Sequence, residues 1–226
     1  MKFNKINFDT EPKITGSKNG VYSVEIKEKY SFASLEDKTF WKGYTSENRK
    51  NRKRVLLSTY MPLKTSLLSN PIIFFSIGKR IKQLDFMAFS PYEHGIQFLI
   101  TKRVYDILSK YRMPVHNKIP AKIDTFEQEY FLLGIPMVDS SEIDFSKSRF
   151  YNYNDGKTEN FKDFNDYKEA DYNRKMSTPQ ILNLKNKLNF DAIKTTKGVF
   201  FSSEIIEEFK KENISGYRIE EGILEN

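Results

Sequence analysis

Cysteine is absent from this chain of 226 residues, histidine occurs only at His94 and His116, and the one tryptophan is Trp41. Without cysteine there is no disulfide framework, no thiol nucleophile and no thiolate-bound metal. Two histidines are too few for a multi-histidine metal centre and allow at most one Ser–His or His–carboxylate pair. Long apolar runs are missing as well. The longest lies near NPIIFFSIG, far short of the ~18 residues that a membrane span needs. The opening residues MKFNKINFDTEPK lack the apolar centre of a secretory signal. The expectation is a cytoplasmic, reduced protein with no membrane partner.

Aromatic residues, in contrast, are plentiful: 19 Phe, 13 Tyr and one Trp within a chain that is 38% hydrophobic. That is enough for a real core and argues against wholesale disorder. The length suits one large domain or two small ones, burying roughly 70% of the unfolded surface.

Charge is divided unevenly. The total is 37 − 30 = +7, but residues 1–113 contribute 21 − 10 = +11 and residues 114–226 contribute 16 − 20 = −4. An AT-rich genome would favour lysine over arginine, here 28 to 9, but would not give the two halves opposite signs. The densest basic stretch is SENRKNRKR, where Arg49, Lys50, Arg52, Lys53 and Arg54 lie between Phe40, Trp41, Tyr44 and the apolar Val55-Leu56-Leu57. It reads as an exposed loop or a helix end.

Periodicity places several elements. VYSVEIK alternates Tyr22, Val24 and Ile26 with polar residues after the Asn19-Gly20 turn signal, as a half-buried strand does. IIFFSIG and HGIQFLI read as buried strands, and QEYFLLGIPMVD as a central one. In TKRVYDILSKYRMP the apolar Val104, Ile107, Leu108 and Tyr111 follow helical spacing, with Thr101 as cap and Pro114 as stop. Thr178-Pro179 could open a short helix, although Ile181, Leu182, Leu184 and Leu188 could also belong to a strand. FDAIKTTKGVFFS reads as a hairpin turning at Lys197-Gly198, followed by a helix with Ser203 as cap and a last strand, GYRIE. Residues 151–175 hold six aromatics and one aliphatic residue, Ala170, among eleven charges. They read as a long surface loop or an extended hairpin. The fold class is α+β, with a mixed or antiparallel sheet and a few packed helices.

Catalytic signatures are missing: no G-x-S-x-G, no G-x-G-x-x-G and no phosphate-cradling loop. Asp9 followed by Glu25-Ile26-Lys27 has the residue types of a magnesium-dependent nuclease, which needs two carboxylates on a hard cation. The bland alternative is a solvent-facing strand edge. Asp139, Glu142 and Asp144 could form an acid/base pair, or serve as turn and cap residues. No catalytic, cofactor-binding or metal-binding residue is assigned, and no cofactor is expected.

Two segments carry binding chemistry. Arg49, Lys50, Arg52, Lys53 and Arg54 could meet phosphates or an acidic protein surface, or be a solvated loop. Tyr151, Tyr153, Phe161, Tyr167 and Tyr172 are the residue types that anchor protein interfaces; otherwise the segment folds back and tucks its rings onto the body.

The downstream half runs GIQFLITKRVYDILSKY, IPAKI, EYFLLGIPMVDSSEIDFSKSRFY and GVFFSSEIIEEFKKENISGYRIEE. Over residues 75–220 this order resembles a family of immunity proteins from bacterial polymorphic toxin systems. The resemblance is carried by Ile143-Asp144-Phe145-Ser146-Lys147-Ser148-Arg149-Phe150, by Val199-Phe200-Phe201-Ser202 and by Ile214-Ser215-Gly216-Tyr217-Arg218-Ile219. It implies a non-enzymatic antitoxin that binds and neutralises a cognate toxin working in the cytosol. It also implies an α+β domain over 75–226, with the basic residues 1–74 packed on it. Ser202 or Ser203 would cap a helix and Gly216 would end one. The charge split adds the expectation that the toxin's contact surface is acidic. The alternative is a nucleic-acid-binding accessory protein of a mobile element.

Overall fold

The near-continuous apolar runs become strands covered on both faces in a computed structural model, which describes residues 2–172 and 177–226 without the side chains of Arg52 and Tyr172. In chain order the elements are β1 (Lys2–Phe8), α1 (Pro12–Thr15), β2 (Val24–Glu25), α2 (Leu35–Lys50), β3 (Ile72–Ser76), β4 (Phe86–Met87), β5 (Phe89–Ser90), β6 (Phe98–Thr101), α3 (Lys102–Leu108), β7 (Asn117–Ile123) and β8 (Tyr130–Gly134). They continue with β9 (Arg149–Asn152), β10 (Lys157–Glu159), α4 (Phe164–Tyr172), β11 (Ser177–Asn183), β12 (Ala192–Thr195), β13 (Gly198–Ser202), α5 (Ser203–Lys211) and β14 (Tyr217–Glu225). The fold is α+β.

Two mixed sheets are formed among the described residues. One has the order β10-β9-β11-β14-β1-β13-β12, the other β4-β6-β8-β7-β3-β2-β5. They share a core in which Phe98 of one and Phe201 of the other lie 6.2 Å apart, together with Val104, Ile107 and Leu108 of α3 and Ile205, Ile206 and Phe209 of α5. Alternate residues serve the outer faces. Phe200 joins Phe150, Phe161 and Tyr167 under α4, while Tyr130 and Leu132 join Phe74 and Trp41 under α2. Each such side chain contributes roughly 1.5–3 kcal/mol over its exposed state. Coverage of both faces is why FLI and VFF are apolar without alternation, whereas in IIFF Ile72 and Phe74 are buried and Ile73 and Phe75 half-buried.

Several expectations are corrected. Residues 1–74 are not a portion packed onto a finished core that begins at 75. β1 lies between β14 and β13, with Ile6 opposite Ile219 and Val199, and β2 and β3 belong to the second sheet. The strand expected over 21–27 is paired only at Val24–Glu25. Residues 177–183 are a strand, not a helix. The β9–β11 register shifts between Pro179 and Ile181, and a ladder irregularity is a place that tolerates proline's missing N–H. Over residues 151–172, part of the segment expected as a long surface loop or an extended hairpin, the hairpin is present as β9–β10 but is followed by a helix, α4; residues 173–175 lie outside the described residues.

The helices end and begin by local chemistry. Thr101 caps α3, accepting from Val104 N, and its hydroxyl donates to buried Asp85 at 2.9 Å. Asp85 also accepts from the Ser215 N–H and hydroxyl, both at 2.9 Å, so one carboxylate ties the start of α3 to the approach to β14. Ser202, rather than Ser203, caps α5. Gly216 does not end that helix. Asn213 takes the left-handed conformation (φ 51) and Ile214 N–H returns to Phe209 O at 2.9 Å. Gly216 is needed for another reason: at φ 82 it passes so close to β4 that a Cβ would lie 2.2 Å from Phe86 O.

Candidate functional site

α2 brings the basic cluster to the surface. Ser34 caps it by accepting from Asp37 N at 3.0 Å, Glu36 and Asp37 stand in its first turn, and Arg49 and Lys50 in its last. Both charge placements oppose the helix dipole favourably. Its buried stripe is Asp37, Trp41, Thr45 and Asn48. The three polar members are all satisfied. Asp37 accepts from Ser69 N at 2.8 Å, Thr45 donates to Trp41 O at 3.0 Å, and Asn48 donates to His94 O at 3.2 Å. An apolar-periodicity search misses this helix because its inner face is largely polar; the Ser34…Asp37 cap is the sequence signal that could have found it.

Between α2 and the chain at Pro91–Glu93 runs a cleft of about 660 Å3. Trp41, Thr45 and Glu93 are its buried lining and Ile26 and Phe32 its half-buried lining, while Glu28, Lys42, Arg49 and Lys50 are exposed around it. Glu93 is only 3% exposed and is held by Arg49 at two points, Nη2–Oε1 2.6 Å and Nε–Oε2 3.2 Å. On the other flank of α2 a smaller depression of about 190 Å3 is lined by Phe40, Tyr44, Arg54, Met61, Lys64 and Leu67 among others. Met61 is 73% exposed and Leu67 56%.

The five basic candidates therefore separate. Arg49 neutralises Glu93, and Arg54 pairs with Glu47. Lys50 and Lys53 are exposed and form no ion pair among the described residues. The side chain of Arg52 lies outside the described residues, and the backbone over Arg52–Val55 is a 3-10 turn. That turn is anchored: Met137 N donates to Val55 O and Leu57 N to Met137 O, each at 2.6 Å, and Met137 is bridged in turn to Lys194 of β12.

The aromatic candidates separate too. Phe161 and Tyr167 are buried, not available to a partner. Phe150 meets Phe161 at 5.0 Å and Tyr167 at 5.2 Å, and Phe145 meets Tyr167 at 5.3 Å. They supply the apolar surface that aliphatic residues do not. Tyr151 is half-buried, edge-on to Tyr153 at 5.0 Å, and Tyr153 is 55% exposed. The side chain of Tyr172 lies outside the described residues.

The carboxylates weighed as catalytic have local roles. Asp9 accepts from Glu11 N at 2.7 Å, Asp139 caps the 3-10 turn at Ser140–Glu142, and Asp144 accepts from the Ser146 hydroxyl at 2.7 Å. Among the described residues no group of three or more His, Asp or Glu could hold a metal ion. His116 bonds Pro114 O at 2.8 Å and the Tyr105 hydroxyl at 3.2 Å. No helix among the described residues is long and apolar enough to cross a membrane. Compared with protein-family models, curated proteins and solved structures, the chain matches none.

Proposed function

We propose that this chain is an immunity protein that binds and neutralises a cognate bacterial toxin in the cytosol, and that the α2 face makes the contact. The observation that carries the reading is the make-up of that face. A cleft with Trp41 in its lining and a second depression flanked by exposed Met61 and Leu67 lie on the two sides of one helix, beside Lys50 and Lys64, which form no ion pair among the described residues. Aromatic and methionine side chains around concave apolar surface are the composition of protein-binding sites. The unpaired lysines favour an acidic partner segment, whose approach they would accelerate. The family resemblance over residues 75–220 supports the same class from the sequence side; α2 itself lies outside that stretch, and Pro91 and Glu93 of the facing wall lie within it.

A nucleic-acid reading draws less support, because Arg49 and Arg54 are already committed to carboxylates. The test is co-expression with the toxin domain encoded beside this gene. Growth rescue and co-purification are expected; failure of both removes the proposal. An electrophoretic shift with duplex and single-stranded DNA at about 150 mM salt is expected to show no binding.

A further inference from the structure

A second cavity, of about 340 Å3, opens where the β12–β13 hairpin, β1 and the start of β6 meet, away from α2. Lys5, Asn7, Gln97, Lys194, Lys197 and Glu220 are its polar side-chain groups of consequence. Glu220 is the one carboxylate lining it, and it is already saturated. It accepts from Lys5 Nζ at 2.9 Å, Arg218 Nη2 at 2.8 Å and Asn7 Nδ2 at 3.1 Å. Gly198 preserves that arrangement, since a Cβ there would stand 2.8 Å from Lys5 Cε.

The remaining groups are donors without acceptors. Lys194 is half-buried and its ammonium makes no hydrogen bond or ion pair among the described residues. Burial pushes it down to about 8. Gln97 is 5% exposed; its Oε1 accepts from Ile135 N at 2.5 Å, and its Nε2, fully occluded in the wall, has no partner among the described residues. Lys197 carries a further positive charge, its Nζ 4.9 Å from the centre of the Tyr167 ring. A desolvated ammonium without a partner raises the free energy of the empty site. An occupant that satisfies it must bring negative charge and acceptor oxygens, and the volume suits a small molecule.

We propose that this cavity binds a small-molecule oxyanion, a phosphate ester or a carboxylate, with Lys194 as its charge partner and Lys197 completing the cationic wall. The site is independent of toxin binding, and neither stands or falls with the other.

The test is a titration of the full chain with inorganic phosphate and, separately, succinate, at constant ionic strength held with sodium chloride, followed by backbone amide chemical shifts. Saturable shifts are expected at residues 5–8, 97–98 and 194–199. Phosphate saturating first assigns a phosphate ester, and succinate first a carboxylate. Lys194→Met should weaken binding about tenfold or more, in keeping with loss of a charged donor. Lys194→Met replaces a desolvated charge with an apolar chain of similar length, so the fold should survive; Lys197→Gln, at the mouth, gives a second reading with a smaller loss. Shifts that stay linear for both anions, that sodium chloride alone reproduces, or that both lysine variants leave unchanged would overturn the site.

Discussion

Arg49 grips the buried carboxylate of Glu93 at two points, 2.6 and 3.2 Å, across the cleft beside α2. The pair fixes the end of α2 to the chain ahead of β6 and uses a charge that the sequence offers as a free binding group. Arg49→Ala should therefore lower stability by about 2–4 kcal/mol, because it strands a buried carboxylate. Glu93→Gln should cost less, since the amide leaves no buried charge. Urea denaturation of both variants measures this; an Arg49→Ala protein as stable as the parent would show that the pair does not hold the cleft.

Lys50 and Lys53 invert that expectation. The double variant Lys50→Glu, Lys53→Glu should change stability by no more than about 0.5 kcal/mol. Its association with the toxin should slow by about tenfold at low salt and lose most of its salt dependence. Stopped-flow binding reads both, and unaltered kinetics would take these lysines out of the contact.

The aromatic segment divides by burial. Phe161→Ala should destabilise by about 3 kcal/mol or more by opening a cavity among Phe145, Phe150 and Tyr167, whereas Tyr153→Ala should be nearly neutral. Tyr167→Phe is expected to be neutral or stabilising, because the Tyr167 hydroxyl is buried with no hydrogen-bond partner among the described residues. Thermal melts of the three variants should rank in that order.

Acid should expose the Glu220 contact. Burial alone would raise this carboxyl, but hydrogen bonds from Lys5, Arg218 and Asn7 outweigh it and hold it at about 2. A carboxyl depressed on folding contributes stability that is present above its unfolded value near ~4.3 and is lost as pH falls toward the folded one. The stability gap between the parent and Glu220→Gln should be steady above about pH 5 and close between about pH 4.5 and 2. Its full size should be roughly 1–2 kcal/mol, since solvent screens part of the pairing. A gap that persists unchanged at pH 2 contradicts the pairing.

Much of the downstream fold is legible in residue order because its signals are local. The Thr101 cap and the Val104, Ile107, Leu108 stripe specify α3, the Lys197-Gly198 turn specifies the β12–β13 hairpin, and the graded charges of SEIIEEFKK specify α5. Local signals mislead where a long-range partner competes. Thr178-Pro179 has the chemistry of a helix start, yet pairing with β9 and β14 makes it a strand. α2 stays hidden because its inward stripe is largely polar and is satisfied only by distant groups, Ser69 N and His94 O.

By itself, then, the sequence determined the fold class, the strongest helices and strands, and which residue types were available for binding, because propensity, capping and periodicity act over a few residues. The tertiary structure alone decided that β1 is an interior strand, that Phe161 and Tyr167 are core, that Arg49 answers Glu93, and that Lys194 and the Gln97 amide nitrogen find no acceptor among the described residues. Most of those outcomes depend on groups far apart in the chain, as far as Lys2 from Glu225 and Arg49 from Glu93, and only a folded molecule brings them together.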